Sequence, residues 1–240
     1  MVDLSIVLPT YNERENIKML IPELEEFLVK YRLSAEIIVV DDNSPDGTAQ
    51  AVAKINKKYG NIKVIIKKKK EGIGAALRVG YDAAKGKMIL SSDSDMSFDV
   101  HDMTKLINKV KEGYDLVVGS RHMSRGSYVK NTFGVKIKGF VSYFGNIIVR
   151  ILTGVNIHDF SANFRIIKKN VWREIETQEN TNSLLLEMIL KVKYKGYKIA
   201  EVPVIFRERL YGKSKLNLVK EAPKFFLKLI FYSIKFRRVG

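Results

Sequence analysis

Short apolar runs alternate with longer stretches of helical periodicity through the first half of the chain. Residues 4–8, 37–40, 64–66, 88–90 and 116–118 are brief, rich in Val and Ile, and bounded by polar or glycine-containing turns. Such runs predict strands buried on both faces. Between them, 16–31, 47–59, 74–84 and 102–112 have the length and apolar spacing of amphipathic helices. This alternation specifies an α/β fold, a mostly parallel, Rossmann-like sheet flanked by helices. Ligands of such sheets bind beyond the carboxyl ends of the strands, so the polar clusters after each strand are where chemistry is expected.

The second half is patterned differently. Segment 133–152 is strongly apolar but carries Lys136, Lys138 and Arg150. Segment 220–238 interleaves Phe225, Phe226, Leu229, Ile230, Tyr232 and Ile234 with Lys224, Lys228, Lys235, Arg237 and Arg238. Neither offers the roughly 18 uninterrupted apolar residues of a spanning helix. Both fit amphipathic helices lying in a membrane interface, and 133–152 equally fits a helix packed on the core. The expected organisation is a sheet domain over 1–218 followed by a basic amphipathic membrane-interface segment over 219–240.

Composition narrows the chemistry. The chain has no cysteine and only His101, His122 and His158, so any metal must be a hard cation held by oxygen. A formal net charge of +16 points to nucleic acid, anionic lipid or a phosphorylated substrate. The N-terminus shows no secretory pattern, so a cytoplasmic protein is expected.

Three strand ends carry candidate sites. Strand one runs into LPTYNERENI (8–17), where an aromatic and a carboxylate suit a nucleoside, although Glu13 equally suits the first turn of a helix. Strand two ends in VVDDNSPDGT (39–48). Asp41 and Asp42 fall on opposite faces, so one can enter the crevice while the other fixes the turn, and Asp46 can cap the next helix. A dinucleotide fold would need its glycine fingerprint after strand one, and it is absent; the lone G-x-G at Gly72 and Gly74 meets Leu77 where a third glycine should be. Strand four runs into SSDSDMSFD (91–99), where Asp93 and Asp95 can converge on one divalent cation that takes its other ligands from phosphate and water, or simply form a hydrated turn.

PTYNE, VVDDNSPD, KKEGIGAALRVGYDAAKG, DSD, GSR (119–121) and FRERLYGKSKL (206–216) together resemble the inverting glycosyltransferases of GT-A fold. Within them the chain is most similar to the dolichyl-phosphate mannose synthase and polyprenyl-phosphate glucosyltransferase branch, over roughly residues 4–216. The R-x-x-G-x-S-K element at 209–215 is the feature most particular to that branch. The resemblance implies that Pro9, Tyr11, Glu13, Val40 and Asp42 hold the nucleoside. It implies that Asp93 and Asp95, with Ser94 alongside and Ser97 as a weaker ligand, bind Mg2+ or Mn2+ on the donor diphosphate. Arg121, Arg209 and Lys215 would contact phosphates of donor and acceptor. Three departures bear on sugar identity and metal geometry. Ser97 stands where mannose synthases carry Gln, Phe98-Asp99-Val100-His101 replaces a His-Pro-Pro-Glu type stretch, and Ala162-Asn163-Phe164 replaces Ser-Gly-Phe.

The implied reaction moves a hexose, mannose from GDP-mannose, onto a dolichyl or polyprenyl phosphate with inversion. The implied setting is peripheral, on the cytoplasmic face of the membrane, with or without a separate membrane subunit. A phosphate monoester is already anionic near neutral pH and needs no protein base, whereas a sugar hydroxyl does. Strand five ends in GSRHMSRG, which offers arginines and no acid, as a phosphate acceptor requires. Alternatives are a UDP-sugar donor with the same lipid acceptor, a soluble glycan hydroxyl as acceptor, a sugar-nucleotide sensor without turnover, and a basic nucleic-acid-binding protein. The last is disfavoured because carboxylates cluster where a phosphate backbone would lie.

Overall fold

The computed structural model describes residues 2–123, 127–128, 133–207, 209 and 227–232. The first half folds as its pattern predicts: β1 (Leu4–Thr10), α1 (Arg14–Lys30), β2 (Ala35–Asp41), α2 (Thr48–Tyr59), β3 (Ile62–Ile66), α3 (Ile73–Ala83), β4 (Met88–Ser91), α4 (Met103–Lys111) and β5 (Leu116–Ser120). There follow β6 (Ser127–Tyr128), α5 (Phe133–Thr153), β7 (Arg165–Lys168), α6 (Lys169–Glu174), α7 (Ser183–Tyr194), β8 (Ile199–Pro203) and β9 (Ile205–Phe206). Seven strands form one sheet in the order β3-β2-β1-β4-β7-β5-β8, and β6 pairs with β9.

Leu4, Ile6, Val7 and Leu8 of β1 and Ile37 to Val40 of β2 are all fully buried, as both-face coverage by helices demands. The register sets Thr10 beside Asp41 and Val7 beside Ser91. The carboxyl ends of β1, β2 and β4 therefore open on one edge of the sheet. β7 breaks the parallel pattern, running antiparallel between β4 and β5 with Arg165 opposite both Ser91 and Val118. Because β7 starts where its neighbours end, the loop entering it arrives at the same edge.

Helix α3 sits on β1 and β2 through Gly80, where a side chain would meet the sheet. Helix α5 turns Asn146, Val149 and Thr153 inward and leaves Tyr143, Phe144, Ile148 and Ile151 exposed, Ile151 at 69%. Among the described residues no helix is long and apolar enough to cross a membrane. Of the expected C-terminal segment, 227–232 is described and helical. Leu229 and Tyr232 are buried, while Leu227 and Phe231 are exposed. Tyr232 Oη donates to Glu179 Oε1 at 2.9 Å and Lys228 Nζ lies 2.8 Å from the same atom, so this stretch is docked on the loop before α7.

The Gly80 contact gives a stability test. A Cβ there would sit 2.4 Å from Val7 Cγ1 and 3.1 Å from Val40 Cγ2, both fully buried. Overpacking of that kind costs about 1–3 kcal/mol, more than the ~1 kcal/mol that alanine gains over glycine in a helix. Urea unfolding should therefore show Gly80→Ala destabilised. Gly145→Ala, in α5 with nothing within 4 Å, should gain up to ~1 kcal/mol. Equal shifts in both variants would contradict the packing of α3.

Candidate active site

The turns after β1, β2 and β4 each contain one non-glycine residue in left-handed backbone: Asn12 (φ 55°), Asn43 (φ 59°) and Met96 (φ 60°). Asn tolerates this conformation, whereas for Met it is strained, and such strain gathers at functional sites. Asp41 fixes the turn after β2, accepting from Thr10 Oγ1 at 2.9 Å and from Ser44 N at 2.9 Å. Asp42 points the other way, 2.8 Å from Lys67 Nζ, which also lies 3.2 Å from Glu71. Asp46 accepts from Arg14 N at 3.1 Å and Thr48 N at 3.0 Å, joining the starts of α1 and α2.

Of the expected nucleoside residues, Pro9, Tyr11 and Asp42 lie at the strand ends. Lys70 Nζ stands 3.8 Å from the Tyr11 ring centroid, covering one face of that ring. Val40 is fully buried, so its side chain contributes floor and no crevice surface. Glu13 accepts from Asn16 Nδ2 at 2.6 Å, beside the start of α1.

The turn after β4 holds the carboxylate pair. Ser94 Oγ donates to Pro9 O at 3.0 Å and ties this turn to β1. Asp95 accepts from Ser97 N at 3.1 Å and pairs with Arg209 Nη2 at 3.2 Å. Burial and the neighbouring Asp95 push the Asp93 carboxyl up to about 6, against the smaller lowering effect of Asn163 Nδ2, which donates to its Oδ1 at 3.1 Å. Ser97 is fully buried, and its hydroxyl has no hydrogen-bond partner among the described residues. Two crowded carboxylates, one drawing in an arginine, beside an unsatisfied hydroxyl form an all-oxygen donor set that suits a hard divalent cation. Among the described residues no group of three or more acidic or histidine side chains is placed to hold a metal ion, and the pair leaves room for oxygens of phosphate and water.

Arg209 reaches this turn because β9 crosses it. Arg207 N donates to Ser97 O at 2.8 Å, and Arg207 Nη2 lies 3.0 Å from Asp99 Oδ2. Residues distant in sequence, Asp95 and Arg209, are thereby brought together. Lys215 lies outside the described residues. Arg121, just after β5, reaches the loop before β7. Its Nε and Nη2 grip Asp159 at 2.7 and 2.8 Å, and Nη2 also reaches Ser161 Oγ at 2.7 Å. Burial alone would raise the Asp159 carboxyl, but the guanidinium and its hydrogen bonds override burial and hold it at about 2.

Asp159 and Asn163 lie in the loop before β7, which Arg165 opens, and the apolar pattern does not single these residues out. Fully buried Arg165 donates to Ala162 O and Leu185 O at 2.9 and 2.8 Å, and Asn146 Oδ1 accepts from Phe160 N at 3.0 Å. Glu201 accepts from His158 N and Asp159 N at 2.8 and 3.0 Å. The signals available are the Ala162-Asn163-Phe164 departure from Ser-Gly-Phe and an arginine opening an otherwise apolar strand, Arg165-Ile-Ile, directly after it.

A family model described as glycosyl transferase family 2 matches residues 5–176. The dolichol-phosphate mannosyltransferase of Pyrococcus furiosus is 34% identical over 215 residues, covering 89% of this chain and 59% of that protein, so the chain spans well under two thirds of that relative. The polyprenol monophosphomannose synthase of Mycolicibacterium smegmatis is 30% identical over 219 residues, 88% of this chain and 80% of that protein. Among solved structures, glucosyl-3-phosphoglycerate synthase from Mycobacterium tuberculosis, in complex with Mn2+, UDP and phosphoglyceric acid, superposes with a TM-score of 0.71. It is 17% identical and the match covers 98% of this chain and 78% of that one. Mannosyl-3-phosphoglycerate synthase from Rubrobacter xylanophilus gives 0.69 at 17% identity, over 95% of this chain and 73% of that one. The GT-A fold is therefore shared across these proteins.

The Arg121–Asp159 pair predicts a loss of stability when broken. Arg121→Ala would strand a fully buried carboxylate, a change that typically costs about 3–5 kcal/mol. Urea unfolding at pH 7 should register it, with Asp159→Asn added to Arg121→Ala recovering part of the loss. An unchanged midpoint in Arg121→Ala would show that the pair does not hold the loop.

Proposed function

Because the chain belongs to glycosyl transferase family 2, we propose that it transfers a hexose, mannose from GDP-mannose, onto the phosphate of a polyprenyl or dolichyl lipid with inversion. The observation that carries this reading is the meeting of Asp93, Asp95 and Arg209 at the carboxyl end of β4. An anionic pair and a mobile-length cationic side chain at one point suit a reaction in which one phosphate attacks and another leaves. The names borne by the Pyrococcus and Mycolicibacterium relatives support the same choice of acceptor and sugar.

Tyr11 and Asp42 would receive the nucleoside, with Lys70 closing over the ring and Lys67 holding the Asp42 carboxylate in place. Asp93 and Asp95 would hold Mg2+ or Mn2+, whose charge neutralises the departing diphosphate. Arg209 then turns from Asp95 toward phosphate, where a guanidinium forms its strongest hydrogen bonds. Arg121, gripped by Asp159, keeps the loop before β7 against this centre and adds positive potential, and Lys215 would complete the anion contacts. An oxygen of the acceptor phosphate attacks the anomeric carbon, and the bond to the diphosphate oxygen breaks with its electron pair leaving on that oxygen. No proton must move from the attacking atom, so no side chain is needed as a base. In-line displacement gives a β-linked product from an α-linked donor.

The acceptor's tail cannot leave a bilayer, so its phosphate must be met at the interface. Exposed Tyr143, Phe144, Ile148 and Ile151 on α5, with Leu227, Ile230 and Phe231, supply apolar surface for that contact. The chain's net charge of +16 favours anionic headgroups, each basic residue near such a surface adding roughly 1 kcal/mol.

The test is a transfer assay with Mn2+, a panel of labelled GDP- and UDP-sugars, and two acceptors, polyprenyl phosphate and the unphosphorylated polyprenol. Lipid-linked mannose from GDP-mannose and phosphate lipid alone is expected, falling at least ~100-fold in Asp95→Ala. Product from a UDP-sugar alone would move the donor assignment. Equal transfer to the free alcohol, or undiminished turnover by Asp95→Ala, would overturn the mechanism.

A further inference from the structure

The loop entering β7 brings one amide side chain to the carboxylate pair. Asn163 is 2% exposed. Its Nδ2 donates to Asp93 Oδ1 at 3.1 Å, and its Oδ1 accepts from Ser91 Oγ at 2.9 Å. Ser91 Oγ lies 2.8 Å from the Tyr81 hydroxyl, and both residues are fully buried. Tyr81 is in turn braced edge-on by the Trp172 ring, centroids 4.7 Å apart.

Chemistry fixes the direction of every bond in this chain. An ionised carboxylate only accepts, so the amide must turn its NH2 to Asp93 and its oxygen to Ser91. Ser91 gives its one proton to that oxygen, which leaves the Tyr81 hydroxyl to donate to Ser91. Tyr81, Ser91, Asn163 and Asp93 thus form a directed line from the interior of α3 to the site. Among the described residues no other hydrogen bond holds the Asp93 side chain.

We propose that Asn163 is a positioning residue of the cation site, fixing the Asp93 carboxylate through this line so that a divalent cation meets a preset ligand. The proposal rests on the reading that Asp93 and Asp95 hold that cation. Carboxylates that ligate metals are themselves oriented by hydrogen bonds, and loss of such a partner weakens metal binding by roughly 10–100-fold. The fold does not depend on the amide alone. Ser91 Oγ is also 3.1 Å from the main-chain oxygen of Asn163, so its proton keeps an acceptor when the side chain is removed.

The experiment titrates Mn2+ into the full chain saturated with GDP, following the free-ion signal by electron paramagnetic resonance. GDP affinity in metal-free buffer and the thermal midpoint are measured alongside. Asn163→Ala should weaken Mn2+ by roughly 10–100-fold while GDP affinity stays at the wild-type value. Ser91→Ala, which touches no site carboxylate but frees the amide oxygen, should weaken Mn2+ less and in the same direction. Wild-type Mn2+ affinity in both variants would overturn the role of Asn163 and leave the cation site standing. So would parallel losses of GDP and Mn2+ affinity, which mark a merely structural contact. Failure of the wild type to bind Mn2+, or undiminished binding by Asp95→Ala, would instead remove the cation reading and this proposal with it.

Discussion

A charge imbalance at the carboxyl end of β4 governs the arrangement of everything around it. Asp93 and Asp95 leave the strand two residues apart, and burial together with their mutual repulsion raises the Asp93 carboxyl to about 6. The sheet edge can hold both only if positive charge is supplied. In this structure Arg209 supplies part of it at 3.2 Å from Asp95, and Asn163 adds an amide dipole at Asp93. Such an arrangement is poised rather than satisfied. In the proposed reading, a divalent cation held by Asp93 and Asp95 would relieve their repulsion and would leave Arg209 available for a phosphate.

The antiparallel strand β7 makes this possible. A purely parallel sheet would deliver only strand-to-helix turns to its carboxyl edge. By running backwards between β4 and β5, β7 delivers a loop to that edge as well. Buried Arg165 pins the loop by its carbonyls, Glu201 and Asn146 pin it by its amides, and Arg121 closes on Asp159 within it. The desolvation of two guanidinium groups and an aspartate is a large cost for so short a segment. Its return is a braced loop that carries Asn163 to the Asp93 carboxylate.

How much of this was legible in the sequence depends on range. The five early strands and their helices announce themselves through local periodicity, and the opposite facing of Asp41 and Asp42 follows from strand geometry alone. The carboxylate pair is equally local. Its arginine is visible only as a motif, because nothing in the residues near 209 says that β9 crosses the turn after β4. β7 is too short to show a pattern, and without its direction Asp159 and Arg165 are not seen to share an edge with the carboxylate pair, while Asn163 stands out only as a departure from the Ser-Gly-Phe element. The pairing of Arg121 with buried Asp159 is illegible in the sequence for the same reason, since that partner lies in the loop before β7.

The most direct test is anomalous diffraction at the manganese edge from crystals grown with Mn2+ and a nucleoside diphosphate. The account predicts one strong peak coordinated by oxygens of both Asp93 and Asp95, with the Arg209 guanidinium moved off Asp95 onto phosphate. A bound nucleotide with no manganese between the carboxylates, and Arg209 still paired with Asp95, would contradict it.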